Sequence, residues 1–129
     1  MATVAKQQDA VVRVILEVDV GMGRTGVAPG EPAVELAKQI SAHPNLSFDG
    51  IMAYEAHVKS RAETEDDYEQ LCYEAMEKTA RTVELIEDAG VRTDEVKVGG
   101  TATSPYSCRH PVVTEINPGQ YVFNDVGEI

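Results

Sequence analysis

The stretch Val18 to Val27, VDVGMGRTGV, places an arginine among three glycines directly after a long apolar run. That run, residues 11–20, is nearly continuous and rich in β-branched side chains. Such a segment is typical of a strand that is buried on both faces in a parallel sheet. The letters GMGRTG also match G-x-G-x-x-G, the pattern of a dinucleotide-binding loop.

The spacing around this loop disfavours a dinucleotide site. In such a site the helix begins within the glycines, because the pyrophosphate lies on the helix N-terminus. Here residues 27–30, VAPG, follow Gly26 and delay the helix. The acid expected about 20 residues further on, at the end of the second strand, is also misplaced, since Asp49 precedes the core of that strand and Glu55 lies 29 residues beyond Gly26. A dehydrogenase is therefore the third alternative, and it would require NAD binding.

Strand and helix patterns alternate along the rest of the chain. A helix is predicted from Pro32 to about His43, and a long one over residues 64–89 with a capping box at Thr64 and Asp67. Strands are predicted at about 48–54, at 95–98 and at 112–116, the last turning at 117–119 and continuing over 121–123. This rhythm predicts an α/β fold, either an open doubly wound sheet or part of a β/α barrel. Both gather chemistry at the C-terminal strand ends, here residues 19–24, 54–57, 99–103 and 117–121.

Length, composition and charge limit the classes of protein to which this chain can belong. The 129 residues suffice for one domain, and no apolar run approaches the roughly 18 residues of a membrane span. No secretory h-region is recognisable at the N-terminus, so a cytoplasmic location is expected. The net charge of −11 argues against a nucleic-acid partner. Cys72 falls on the apolar side of the long helix, and Cys108-Arg109-His110 supplies only two metal-ligand side chains.

Three strand ends carry groups that suit an anion. Arg24 offers a guanidinium, for which a phenolate, carboxylate or phosphate is the natural partner. Residues 99–103, GGTAT, offer bare backbone N–H groups and two hydroxyls, those of Thr101 and Thr103. A second glycine turn follows at Gly119, Gln120 and Tyr121, and two late glycine turns commonly build a phosphate site in barrels. Together these residues predict a phosphorylated cofactor or substrate.

Four ordered blocks carry a family resemblance: EVDVGMGRTGV, HPNLSFDGIMAYEAH, VGGTAT and TEINPGQYVFND. They resemble the D-threonine aldolase and D-serine dehydratase group, pyridoxal-phosphate (PLP) enzymes of fold type III with an alanine racemase type barrel. The D-threonine aldolase branch is the closer match. The resemblance runs from about Arg13 to Asp125.

The resemblance implies a role for each matching residue. Arg24 would face the phenolic oxygen of the cofactor ring. Thr101, after Gly99 and Gly100, would bind the phosphate together with the N–H groups of Gly119 and Gln120 beside Tyr121. Tyr54 would lie against the pyridine ring, and His57 completes the Y-E-x-H block, so both are candidate catalytic residues. Two departures are Ala56, where the family has glycine, and Asn117, where racemases carry an arginine toward the pyridine nitrogen.

The resemblance also implies parts that these residues do not supply. The lysine that forms a Schiff base with PLP would lie upstream, and a metal-binding β domain would begin after Asp125. None of the lysines here has a matching context: Lys6, Lys38, Lys59, Lys78 and Lys97. Residues 1–129 are thus expected to be a partial PLP-binding domain, about half of a (β/α)8 barrel.

The predicted parent enzyme is a PLP-dependent lyase acting on D-β-hydroxy amino acids. It would cleave D-threonine to glycine and acetaldehyde, aided by a divalent metal bound outside this chain, or dehydrate a D-serine-like substrate. The isolated chain is expected to be inactive. The alternative is a non-catalytic half barrel that binds phosphate or PLP, or an oligomerising module, since exposed strand edges favour pairing with another copy.

Overall fold

The computed structural model describes residues 2–122. The helices are α1 (Ala2–Gln7), α2 (Glu31–Ser41), α3 (Val58–Arg61), α4 (Glu65–Asp88) and α5 (Ser104–Ser107). The strands are β1 (Val12–Val18), β2 (Leu46–Ala53), β3 (Glu95–Val98) and β4 (Glu115–Ile116), followed by a 3-10 turn at Gln120–Val122.

The strands form one parallel sheet in the order β1-β2-β3-β4. Each strand therefore lies beside the strand that follows it in the chain. A doubly wound sheet reverses its strand order part-way, whereas a β/α barrel keeps the consecutive order. The α/β prediction is confirmed, and the sheet order matches the partial barrel rather than the doubly wound sheet.

One face of the sheet is covered by α2 and α4, which also pack on each other. Apolar side chains alternate along the strands to meet them, among them Leu16, Ile51 and Val96. Cys72 lies in α4 and is fully buried, as its position on the apolar side predicted. Burial, with the nearby charge of Glu55 as the second cause, raises the pKa of the Cys72 thiol to about 11.

Charged side chains form a continuous row on the opposite face. Arg13 of β1 pairs with Asp49 of β2 and with Glu95 of β3, the latter at 2.9 Å. Lys97 of β3 lies between Glu95 at 2.9 Å and Glu115 of β4 at 2.8 Å. This charged row joins all four strands at the end of the sheet where they begin.

A β-bulge interrupts the pairing of β1 with β2. Val14 pairs with Phe48 and Ile15 pairs with Gly50, so Asp49 is an extra residue in β2. Gly50 lies against β3 so closely that a Cβ there would be 1.9 Å from the carbonyl oxygen of Glu95. The close approach of the two strands therefore requires glycine.

Residues at the two ends of α4 explain where this helix begins and ends. The Thr64 side chain accepts from the Asp67 N–H, and the Asp67 carboxylate accepts from the Thr64 N–H, so the predicted capping box is confirmed. Gly90 follows the helix with φ 82°, the left-handed conformation in which helices commonly end. The pattern had indicated none of the short helices α1, α3 and α5.

The final segment differs from the prediction. The strand β4 has only two residues, and the chain does not continue as a strand at Tyr121 and Val122. The Val122 N–H instead donates to the Gly119 carbonyl at 3.4 Å, which closes a 3-10 turn. Phe123, the last residue of the predicted continuation, lies outside the described residues.

Candidate functional site

The loop after β1 is shaped by one carboxylate. Oδ1 of Asp19 accepts from the N–H groups of Gly21 and Gly23, each at 3.0 Å. These bonds, that from Gly23 first, hold the pKa of Asp19 below its usual range. Gly21, Gly23 and Gly26 all have positive φ, with values of 144°, 65° and 94°. A side chain is unfavourable in that conformation, so the glycines permit the tight path of the loop.

Arg24 extends from this loop toward the end of β2. Its guanidinium carbon lies 5.2 Å from the centre of the Tyr54 ring, within cation–π range. Arg24 is exposed and Tyr54 is half-buried. α2 begins only at Glu31, so the helix N-terminus is not part of the glycine loop, in agreement with the argument against a dinucleotide site.

The turn at residues 99–103 follows β3, and its hydrogen bonds correct the prediction of bare N–H groups at two of these residues, Gly99 and Gly100. The Gly99 N–H donates to Oε2 of Glu55 at 3.1 Å, and the Gly100 N–H donates to Oγ1 of Thr103 at 3.0 Å. Neither group is bare. Within residues 2–122, the N–H groups without an acceptor in this turn are those of Thr101, Ala102 and Thr103.

The two late turns contact each other. The Tyr121 N–H donates to Oγ1 of Thr101 at 3.2 Å, which leaves the Thr101 hydroxyl hydrogen able to donate elsewhere. Tyr54, Gly100, Thr101 and Gln120 all line one cavity of about 270 Å³. We call this the turn cavity. At Gly100 a Cβ would lie 3.1 Å from Cε2 of Tyr54, so the glycine keeps the backbone close to the ring.

Five predicted cofactor-binding residues do not line the turn cavity: Arg24, Gly99, Asn117, Gly119 and Tyr121. The Arg24 guanidinium lies over the ring of Tyr54, and Tyr54 lines the turn cavity. Gly119 is exposed beside Gln120, and nothing lies within 4 Å of a Cβ built on it. Asn117 is exposed at the end of β4, where its N–H donates to the Val98 carbonyl at 2.9 Å.

His57 lines a neighbouring cavity of about 500 Å³ rather than the turn cavity. A Cβ on Gly21 would lie 2.6 Å from Nε2 of His57, so the loop after β1 packs directly on the imidazole. Burial, reinforced by the charges of Arg61 and Lys78, lowers the pKa of His57. Its buried Nδ1 has no hydrogen-bond partner among residues 2–122. Ala56 and Lys59 line both cavities, which therefore adjoin.

Glu55 is a site residue whose contacts the sequence did not reveal. It follows Tyr54 directly, is fully buried, and accepts from the Gly99 N–H and the Ser107 hydroxyl. From the sequence it was considered only as a misplaced ribose ligand and as part of the YEAH block. A charged residue at the end of a buried strand was the available signal.

The Cys108-Arg109-His110 segment does not bring metal ligands together. Nε2 of His110 lies 3.0 Å from Glu77, and its Nδ1 accepts from the Val112 N–H. Cys108 is exposed. Over residues 2–122, no three histidine, cysteine or acidic side chains are grouped as a metal site would require.

No helix in the described part of the chain combines the length and apolarity needed to cross a bilayer.

Known proteins share both the sequence and the fold. The family described as alanine racemase, N-terminal domain, matches residues 1–125. The chain belongs to this family. A D-threonine aldolase from Arthrobacter sp. is 32% identical over 119 residues, covering 92% of this chain and 31% of that protein. A 3-hydroxy-D-aspartate aldolase from Paracoccus denitrificans (strain Pd 1222) is 30% identical, covering 97% of this chain and 32% of that protein.

A solved structure agrees with these matches. The D-threonine aldolase from Filomicrobium marinum superposes with a TM-score of 0.88 at 27% identity, covering 95% of this chain and 33% of that chain. The family resemblance predicted from the sequence is thus confirmed, as is the alanine racemase type of fold. The chain spans about a third of the length of the relatives that it matches.

Proposed function

We propose that this chain is the phosphate- and ring-binding part of a PLP-dependent lyase that acts on D-β-hydroxy amino acids. The observation that carries the proposal is the meeting of three strand ends at the turn cavity. Tyr54, Gly100, Thr101 and Gln120 line it, and Arg24 lies over the Tyr54 ring. The names of the aldolase relatives supply the substrate class.

The chemistry of the turn cavity fits a phosphorylated aromatic ligand. The Thr101 hydroxyl and the N–H groups of Thr101 and Ala102 are suited to donate to phosphate oxygens. We assign Gly119, Gln120 and Tyr121 to the second side of the phosphate, because Tyr121 is bonded to Thr101. The absence of a side chain at Gly100 lets the backbone of the phosphate-binding turn approach the Tyr54 ring closely.

The remaining assignments concern the ring and the substrate. Arg24 would hold the phenolic oxygen of the cofactor in its ionised form, and Asn117 is assigned to the side of the pyridine nitrogen. When bound, PLP withdraws electrons from the substrate Cα. His57 is assigned as a candidate catalytic residue from the resemblance; burial, with the charges of Arg61 and Lys78, lowers its pKa. Tyr54 would lie against the pyridine ring.

Several assignments stay predictions from the resemblance. We assign two features to segments other than residues 1–129: the lysine that binds PLP, and the residues that bind the divalent metal. This chain alone should therefore release no acetaldehyde from D-threonine and PLP. The choice between aldol cleavage and dehydration belongs to those segments too. Cytoplasmic location and pairing of copies are likewise predictions.

Ligand affinity tests the proposal. Pyridoxine 5′-phosphate and pyridoxine lack the aldehyde, so neither forms imines with surface lysines. Calorimetry should show that the full chain binds the phosphorylated form more tightly. Thr101→Val should weaken that binding about tenfold, as expected for a lost hydrogen bond to a charged group.

Thr93→Val is the matched control, since the Thr93 hydroxyl has no partner among residues 2–122 and lies before β3. Its affinity for both ligands should equal that of the wild type. Equal affinity of the wild type for the two ligands would contradict the proposal.

A further inference from the structure

Glu55 joins three parts of the fold at the turn cavity. It follows β2 by two positions, and its side chain is fully buried. Oε2 accepts from the Gly99 N–H at 3.1 Å, directly after β3, and Oε1 accepts from the Ser107 hydroxyl at 2.5 Å, in α5. One carboxylate therefore links β2 to both ends of the segment that contains the turn at 99–103.

That turn has little freedom to move around this link. Gly99 has φ 81°, and a Cβ on it would lie 3.0 Å from Oγ of Ser104 and 3.5 Å from Oε1 of Glu55. The Gly100 carbonyl accepts from both the N–H and the hydroxyl of Ser104, at 3.0 and 2.6 Å. The backbone on either side of Thr101 is thus fixed by side chains that do not line the turn cavity.

Stability alone explains this carboxylate poorly. Removing a charged group from water is costly, and hydrogen bonds inside a protein recover the cost only in part. Apolar side chains of similar size at such buried positions are often equally or more stabilising. A carboxylate with two fixed acceptors does, however, set the position of two donors with a directionality that apolar packing lacks.

We propose that Glu55 is a positioning residue, whose carboxylate sets the turn at residues 99–103 in the geometry that binds the ligand phosphate. This inference rests on the proposed function. Glu55 does not line the turn cavity; it acts through Gly99 and Ser107 on the orientation of the Thr101 hydroxyl and of the adjacent N–H groups.

The variant Glu55→Gln tests the inference in the full chain. A glutamine keeps the shape but offers one acceptor and one NH2 group, so one of the two donors faces another donor. The affinity for pyridoxine 5′-phosphate should fall about tenfold. The affinity for pyridoxine should change less than about twofold, since that ligand has no phosphate to be placed.

Two further variants separate positioning from general destabilisation. Ser107→Ala removes one donor and keeps the carboxylate on Gly99, so it should lower the same affinity ratio by a smaller factor. Glu87→Gln makes the same charge change at an exposed position of α4 and should leave the ratio unchanged. A Glu55→Gln chain that unfolds at lower temperature but keeps the wild-type affinity ratio would overturn the inference.

The amide resonance of Gly99 provides a readout without ligand. Its N–H donates to a charged acceptor, so Glu55→Gln should shift this resonance and those of residues 100–103 more than amides in α2. If the wild type does not discriminate between the ligands, the proposed function fails, while the Gly99 resonance still decides whether Glu55 sets the turn. An unshifted Gly99 resonance would overturn the positioning role.

Discussion

Asp19 makes the conformation of the glycine loop depend on its own ionisation. Two backbone N–H groups donate to its Oδ1, and these bonds stabilise the charged form. A carboxyl group whose pKa is lower in the folded than in the unfolded state stabilises the fold above the unfolded pKa of about 4. That contribution is lost as the pH falls through the folded pKa.

The variant Asp19→Asn should therefore flatten the acid side of the stability profile. The wild-type urea midpoint should fall on going from about pH 5 to about pH 2, and the fall should be smaller in the variant. Asp88→Asn, at an exposed position at the end of α4, should leave the wild-type profile unchanged. An equal fall in the wild type and in Asp19→Asn would contradict the role of Asp19.

Individual residues were predictable where their signal is local. Asp67 caps α4 from three positions after Thr64, and the glycines after β1 adopt positive φ, because neighbours in sequence fix both features. The contact of Glu55 with Ser107 joins residues 52 positions apart. Likewise, no sequence pattern indicated that the Gly99 and Gly100 N–H groups already have acceptors. Such pairings depend on the three-dimensional fold, and no pattern within a single sequence indicates them.

At the scale of elements, the bulge in β2 sets how closely β2 and β3 approach. The substitution Gly50→Ala would place a methyl group 1.9 Å from the Glu95 carbonyl oxygen, so β2 and β3 would have to separate. The free energy of unfolding should fall by about 3 kcal/mol, as for other overpacked sites. Urea denaturation measures this loss.

Gly119→Ala is the comparison for Gly50→Ala, because a Cβ at position 119 meets nothing within 4 Å. Its stability should stay within about 0.5 kcal/mol of the wild type. If both variants were equally stable, the close approach of β2 and β3 would not be a constraint.

The long elements were predictable and the short ones were not. Apolar periodicity marks α2, α4 and the buried strands, because each buries one face against the sheet or the helices. The helices α3 and α5 have four residues each, too few for a period to show. The 3-10 turn at Gln120–Val122 was mistaken for a strand because Tyr121 and Val122 have high β propensity.

At the scale of the whole molecule, the charged row from Arg13 to Glu115 replaces apolar packing on one face of the sheet. Hydrogen bonds to Glu115 and then Glu95 raise the pKa of Lys97, which keeps it charged between two carboxylates. Lys97→Met should lower the free energy of unfolding at low salt, because Glu95 and Glu115 then repel each other without a cation between them. The loss should shrink in about 1 M NaCl, where the Debye length is about 3 Å.

Lys38→Met provides the reference for Lys97→Met, since Lys38 is exposed on α2. Its unfolding free energy should depend on salt as that of the wild type does. A Lys97→Met variant with wild-type stability at low salt would show that the charged row contributes nothing to cohesion between β3 and β4.

The extra residue at Asp49 has an effect beyond its own strand pair. Phe48 and Ile51 both face the helices although they are three positions apart. The inserted residue therefore reverses which of the following residues in β2 point inward and which point outward. With this alternation reversed, Glu55 points inward and accepts from the Gly99 N–H, while Tyr54 points to the turn cavity. Deleting Asp49 would exchange these two neighbours, presenting a carboxylate where the aromatic surface now stands.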